Sequence, residues 1–202
     1  ENHTISVFSK GKTIFHNGDK PVSVFCLAAG KVKVTMEGIG GRDQIIRMIK
    51  PQGLFGYNAP FTGENYNATA VALEESTVCI FDKNVFFKLL RRNSDLSIKM
   101  MRMMAMNTTF LNERTVSLTQ KHIRGRLAES LIVLRDTFGF ENDGRTIRGY
   151  VSREDLASLS NMTTSNAIRT LSMFVDEGVI ALEGKKIKII DPQKLEKISH
   201  LG

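Results

Sequence analysis

At 202 residues the chain has room for one large domain or for two small ones joined by a connecting element. Its 42% hydrophobic and 24% charged residues are those of a folded globular protein, and no apolar run reaches the roughly 18 residues of a membrane span, so wholesale disorder and a spanning helix are excluded. The formal charge of +7 points to an anionic partner, because Lys and Arg that neutralise phosphates release counterions.

Charge does not say where that partner binds. Basic residues outnumber acidic ones by 12 to 8 in residues 1–93, by 3 to 2 in residues 94–120 and by 13 to 11 in residues 121–202. The start, Glu1-Asn2-His3-Thr4, lacks the basic-then-apolar pattern of a signal peptide, which predicts a soluble protein with no membrane partner; whether the native N-terminus extends further is left open. Cys26 and Cys79 each lie in an apolar stretch and read as small buried hydrophobes rather than a disulfide, consistent with a cytoplasmic protein.

From about Thr13 to Phe81 short apolar segments are broken by Gly18, Gly30, Gly41, Gly53 and Gly63, the punctuation of an all-β sandwich or barrel. In Gly30-Lys31-Val32-Lys33-Val34-Thr35-Met36 apolar and polar side chains alternate, the period of a half-buried strand. Ile45 to Ile49 and Thr77 to Phe81 supply further strands. One antiparallel barrel is expected.

After Asp82 the period becomes helical, first over Val85 to Leu90 and then from about Ser94 to Gln120, with Ser94 or Asp95 as its cap. Met101, Met104, Thr108, Leu111, Thr115, Leu118 and His122 alternate spacings of three and four, as a coiled-coil seam does. A helix lying on its own barrel is the alternative; the seam is preferred because a helix of roughly 40 Å outruns a small barrel. A third helix, about Ile123 to Phe138, carries Leu127, Leu131 and Leu134 on one face, ends at Gly139 and is followed by a turn over residues 141–145.

From Val151 the spacing is that of a helix-turn-helix. Ser152 caps a first helix with Leu156 and Leu159 on its inner face; Ser160-Asn161 make the turn, Asn tolerating the left-handed conformation; Thr163 caps a second helix running from Thr164 to about Asp176. That helix turns Ala167, Leu171 and Phe174 or Val175 inward, and presents Thr164, Ser165, Asn166 and Arg169 outward with no acidic residue between Leu156 and Val175. Hydroxyl and amide groups there bond phosphates or base edges, and one Arg can address guanine with two bonds. Two strands about Glu183-Gly184-Lys185 then read as a basic wing, with Lys185 and Lys186 in reach of phosphate. Ser152, Thr163, Thr164, Ser165, Asn166, Arg169, Lys185 and Lys186 are therefore the candidate DNA contacts.

These features, with Phe15 through Gly18-Asp19, Leu27 through Val32, Phe55-Gly56, Thr69-Ala70-Val71 and Ile123 to Ala128, resemble the Crp/Fnr family of transcription regulators over essentially the whole chain. The resemblance implies an α+β architecture: an N-terminal antiparallel β-barrel of the double-stranded β-helix (jelly-roll), cyclic-nucleotide-binding type over residues 1–93, a long central dimerisation helix over 94–122 and a C-terminal winged helix-turn-helix over 123–202. It implies a base-contacting role for Arg169, a homodimer joined through Met101, Met104, Thr108, Leu111, Thr115 and Leu118, a near-palindromic site on double-stranded DNA and, for an activator, RNA polymerase as a further partner. An effector would lie near Gly56, Tyr57, Tyr66, Asn67, Ala68, Leu111 and Asn112.

The departures bear on that effector. Cyclic-AMP-binding members carry a Glu after the Phe-Gly pair and then an Arg-Ser pair, where this sequence reads Tyr57, Tyr66 and Asn67; a phenol does not replace a bidentate guanidinium, so cyclic AMP is not expected to bind tightly. Two cysteines cannot supply the four ligands of an iron-sulfur cluster. No cofactor is expected: heme would need His3, His16, His122 or a residue of the Met100 to Met106 cluster, and methionines at helical spacing pack. A regulator without any effector, its pocket filled by Tyr57 and Tyr66, competes with one that has an unknown effector. A cupin-like enzyme is disfavoured, because only His16 falls within the barrel.

Overall fold

The computed structural model describes residues 3–201, so Glu1 and Asn2 of the start considered above, and Gly202, lie outside the described residues. The chain forms two compact units, one running to Gly41 and resuming over Ile46–Asn112, the other comprising Arg42–Ile45 and the chain from Glu113 onward.

The N-terminal region is built on eight strands, β1 (His3–Phe8), β2 (Thr13–Phe15), β3 (Ser23–Ala29), β4 (Val32–Met36), β5 (Gln44–Ile49), β6 (Leu54–Phe55), β7 (Thr69–Ala72) and β8 (Ser76–Asp82). They make two four-stranded sheets, in the orders β1-β8-β3-β6 and β2-β7-β4-β5. Val32 and Val34 of β4 point inward while Lys33 is half-exposed, but the expected alternation fails at the ends of the segment, where Lys31 and Thr35 are buried and Met36 is exposed. The inner faces of both sheets supply one core that includes Phe15, Phe25, Leu27, Val34, Ile49, Phe55 and Val78. This is the expected jelly-roll barrel; β1 and the short helix α1 (Asn58–Thr62) had no clear sequence signal.

Helix α2 (Lys83–Arg92) starts where the Asp82 carboxylate accepts hydrogen bonds from the backbone N–H of Asn84 (2.8 Å) and Val85 (3.2 Å). Its Phe86 joins Val24, Tyr57 and Met100 in a second apolar cluster, with Met103 and Met104 packed against it. Helix α3 (Ser94–Gln120) is capped by neither Ser94 nor Asp95: Asn93 Oδ1 accepts from Leu96 N at 2.9 Å. Asp95 instead occupies the first turn, where a carboxylate favours the positive end of the helix dipole.

The α3 residues of the three-and-four spacing are not equally exposed within the chain. Met101, Thr108 and Thr115 are exposed, but Met104, Leu111 and Leu118 are half-buried within the chain. Met104 packs against the Val24, Tyr57, Phe86 and Met100 cluster, and Leu111 lines a cavity of the barrel. Those contacts turn the helix, so the exposed line alternating three and four runs through Ile98, Met101, Ala105, Thr108, Asn112, Thr115 and Thr119. Among the described residues no helix is long and apolar enough to cross a membrane.

The C-terminal region contains α4 (Ile123–Phe138), α5 (Arg153–Leu159), α6 (Thr164–Asp176), the hairpin of β9 (Ile180–Glu183) and β10 (Lys186–Ile189), and α7 (Pro192–Leu201), which no sequence pattern announced. Leu127, Leu131 and Leu134 of α4, Leu156 and Leu159 of α5, Leu171 and Phe174 of α6 and Leu195 of α7 form its buried core. Between α4 and α5 the chain turns on Asp143, whose carboxylate accepts from Arg145 N (3.0 Å), Thr146 N (2.8 Å) and Thr146 Oγ1 (2.7 Å), with Lys188 Nζ at 3.5 Å. Those bonds from Thr146 and Arg145, together with Lys188, hold the Asp143 carboxyl far below the usual carboxylate range.

Candidate functional site

The helix-turn-helix is assembled by its own short polar side chains. Ser152 Oγ accepts from Asp155 N at 3.0 Å to start α5, and Thr163 Oγ1 accepts from Asn166 N at 3.3 Å to start α6. Between them Asn161 adopts φ +49°, the left-handed step that turns one helix into the next. Arg126 Nη1, from α4, donates to Asn161 O at 2.9 Å, and Arg114 Nη2, from α3, donates to Leu159 O at 2.5 Å at the end of α5. Arg114 is buried; desolvation lowers its pKa, an effect opposed by Glu129.

The far end of α6 is fixed as well. Arg124 makes a bidentate pair with Glu177, Nη1 to Oε1 at 2.7 Å and Nη2 to Oε2 at 2.8 Å, and lies over the Phe174 ring at 5.2 Å. This pairing lowers the Glu177 pKa and raises that of Arg124. Lys194 Nζ adds a bond to Glu177 O at 2.8 Å.

Ala167, Leu171 and Phe174 are buried while Val175 is exposed, which resolves the open alternative for the inner face of α6. Ser160 and Thr170, at positions usually apolar in the motif, are buried too, and Ser160 Oγ has no hydrogen-bond partner. On the outer face Ser165 and Arg169 are exposed and Thr164 and Asn166 half-buried. Asn166 Oδ1 accepts from Arg169 Nη2 at 3.1 Å, so the amide holds the guanidinium over the exposed surface. Ser152 and Thr163 use their hydroxyl oxygens as caps. Lys185 and Lys186 are exposed in the hairpin turn, where Gly184 supplies φ +60°, and Lys185 Nζ sits 5.1 Å from the Tyr150 ring centroid.

Ile168 was missed by the sequence reading. It is 49% exposed beside Arg169, an apolar residue on an otherwise polar face. The signal was present, since Ile168 fits none of the inward positions Ala167, Leu171 and Phe174.

In the barrel, Gly56, Tyr57, Tyr66, Asn67, Ala68 and Leu111 line one cavity of about 70 Å³, together with Arg47 and Asn107, which the sequence did not suggest. Asn112 is exposed and not part of that lining, being one residue round α3 from Leu111. Tyr66 stacks on Phe15 with ring centroids 4.3 Å apart, and its Oη donates to Ser23 O at 2.5 Å. Burial raises the Tyr66 pKa, so it is a neutral phenol. The Oη of Tyr57 accepts from Arg47 Nη1 at 3.1 Å. Gly56 has φ +67°, and a Cβ there would meet Phe25 Cδ2 at 2.7 Å, so neither the backbone nor the aromatic neighbours admit a side chain. Among the methionines considered for heme, Met100, Met103 and Met104 pack together in the apolar cluster with Val24, Tyr57 and Phe86, while Met101 and Met106 are exposed.

The sequence matches the cyclic nucleotide-binding domain over residues 5–93 and the Crp-like helix-turn-helix domain over residues 125–198. It is 24% identical over 191 residues to the CRP-like cAMP-activated global transcriptional regulator of Mycobacterium tuberculosis, covering 94% of this chain and 85% of that protein. It is 28% identical over 189 residues to the transcriptional activator protein FnrA of Stutzerimonas stutzeri, covering 90% and 75%. The fold is also that of FixK2 from Bradyrhizobium japonicum, with a TM-score of 0.87 at 20% identity over 97% of this chain and 96% of that one. With both domain families matched in order and the barrel and winged helix-turn-helix both formed, the chain belongs to the Crp/Fnr family of DNA-binding transcription regulators.

Proposed function

We propose that the protein acts as a cytoplasmic homodimer that reads a near-palindromic DNA site with α6, through binding and not catalysis. Residues 1–93 form the sensor-type barrel, 94–122 the dimerisation helix and 123–202 the DNA-binding domain. The observation that carries the reading is the outer face of α6: Ser165, Ile168 and Arg169 are free of the protein's own core, and Asn166 holds Arg169 outward. Two copies paired along the exposed line of α3 place two such helices in successive major grooves, about 34 Å apart. Arg169 addresses guanine, the α6 N-terminus with Thr164 and Ser165 approaches phosphate or base edges, and Lys185 and Lys186 of the wing reach backbone phosphate. If the protein activates, RNA polymerase is its further partner.

The test is selection of binding sites from random DNA, followed by titration of the selected site. Arg169→Ala is expected to lose about 5- to 160-fold on that site, roughly 1–3 kcal/mol, and much less on random DNA. Equal losses on both would move Arg169 to phosphate contact, and a selected site without two related halves would remove the dimer.

A specific observation favours regulation without an effector. The barrel cavity of about 70 Å³ is far below the roughly 300–1,000 Å³ of small-molecule pockets. Tyr66 fills the space, and the cavity lining carries no Glu, so the carboxylate that holds a cyclic nucleotide's ribose is missing. Melting temperatures unmoved by cyclic nucleotides, heme and a metabolite panel support this; a saturable shift with any of them restores a ligand.

A further inference from the structure

We infer that Cys26 and Cys79 are a thiol–disulfide couple, a covalent modification site that closes across β3 and β8 on the outside of the barrel. They are the two cysteines of the sequence, and the antiparallel register of the strands sets them directly opposite one another. Both are free and partly exposed. The neighbouring cross-strand pairs, Phe25 with Ile80 and Leu27 with Val78, belong to the barrel core, so strand alternation turns both sulfurs to the outer face. The same outer row continues through Ile5 of β1, opposite Cys79, and Leu54 of β6, opposite Cys26.

The ladder fixes the spacing. Lys83 N donates to Val22 O at 3.0 Å, marking that pair as hydrogen-bonded, and the alternation of the ladder makes Cys26 and Cys79 a hydrogen-bonded pair too. Its Cα separation is about 5.5 Å, inside the roughly 4.4–6.8 Å that a disulfide spans. The Cβ atoms of such a pair stand about 5.5 Å apart, beyond the roughly 3.5–4.5 Å that a disulfide holds, so the strands must draw together locally to close the bond, and the strain this stores makes it readily reduced. The Cys26 thiol pKa is raised by burial and then by Cys79, which is consistent with sulfurs close enough to interact.

The oxidant is a low-molecular-weight disulfide such as oxidised glutathione. One cysteine thiolate attacks a sulfur of that disulfide, forming a mixed disulfide and expelling one small thiolate. The opposite cysteine thiolate attacks the protein sulfur of the mixed disulfide and expels the second. The protein loses two protons and two electrons, and two small thiols are formed. Because the strands are already adjacent, no refolding is needed for the second step.

The test uses the reduced full chain, exposed to oxidised glutathione under native conditions, blocked with iodoacetamide and digested without reductant. The expected product is one peptide pair linked through Cys26 and Cys79, its mass lower by about 2 Da than the sum of the free peptides and restored by dithiothreitol. In Cys26→Ser and Cys79→Ser the remaining cysteine is expected to stop at the mixed disulfide with glutathione, for want of the partner that resolves it. The proposal is overturned if both cysteines of the wild type remain alkylated, if a glutathione adduct persists on it unresolved, or if its disulfides join separate chains.

Discussion

Arg126 of α4 donates a hydrogen bond to the carbonyl oxygen of Asn161 at 2.9 Å, tying a helix outside the motif to its left-handed corner. Asn161→Gly is expected to leave stability within a few tenths of a kcal/mol, because glycine reaches that conformation freely. Asn161→Val should lower it by about 1–2 kcal/mol, the cost of a left-handed β-branched residue. Arg126→Met should cost about 1 kcal/mol. Urea denaturation measures all three, and an unaffected Asn161→Val protein would contradict the corner geometry.

Ile168 projects from α6 next to Arg169 and is suited to the methyl group of a thymine. Selected sites should carry a T·A pair adjacent to the guanine read by Arg169. Replacing that thymine by deoxyuridine should weaken wild-type binding about fourfold, the worth of one buried methyl at ~0.8 kcal/mol, and leave Ile168→Ala unaffected. A selected site with a fixed guanine but indifferent to deoxyuridine would reject the thymine contact while keeping α6 as the reader.

If two copies pair along the exposed line of α3, as proposed, their contact runs through Met101 and Thr108 rather than through Met104, which packs in the barrel cluster. Met101→Glu should raise the dimer dissociation constant by roughly 100-fold, since two copies would bring unpaired carboxylates together at a symmetric contact. Met104→Glu should instead lower the melting temperature of the barrel, where Met104 packs. Light scattering and calorimetry separate the two; dimer loss from Met104→Glu with normal melting would restore the original seam.

The elements that the sequence announces are those governed by local chemistry. Ser152 and Thr163 cap their helices three residues ahead, Val32 and Val34 mark the inward side of β4, and Gly184 marks the wing turn. What stays hidden depends on distant contacts. Asn93 rather than Ser94 caps α3, and the α3 face is chosen by Tyr57 and Phe86, remote in sequence. Arg47 and Asn107 enter the cavity lining through the packing of β5 and α3 around Tyr57, and no spacing rule connects them. The opposition of Cys26 and Cys79 requires the register of β3 on β8, which two isolated apolar stretches do not specify.

Asp143 gives the DNA-binding unit an acid-sensitive turn. Its pKa in the folded chain lies below the unfolded value of about 3.9, so its stabilising effect is complete above about pH 4 and is lost as pH falls from there toward the folded value. Asp143→Asn should therefore melt lower than wild type at pH 7, and the difference should shrink below about pH 4. Calorimetry at pH 7, 5 and 3 checks this, and a pH-independent difference would assign the effect to packing.

The bidentate Arg124–Glu177 pair at one end of α6 and the Arg126–Asn161 bond at the other both come from α4, so one helix braces α6 at its two ends. If Arg169 reads DNA as proposed, its bond to Asn166 would leave little orientational entropy to be spent on contact. In the proposed dimer, a change in operator affinity is then expected to carry the DNA-binding unit as a whole and to leave the tilt of α6 within it unchanged.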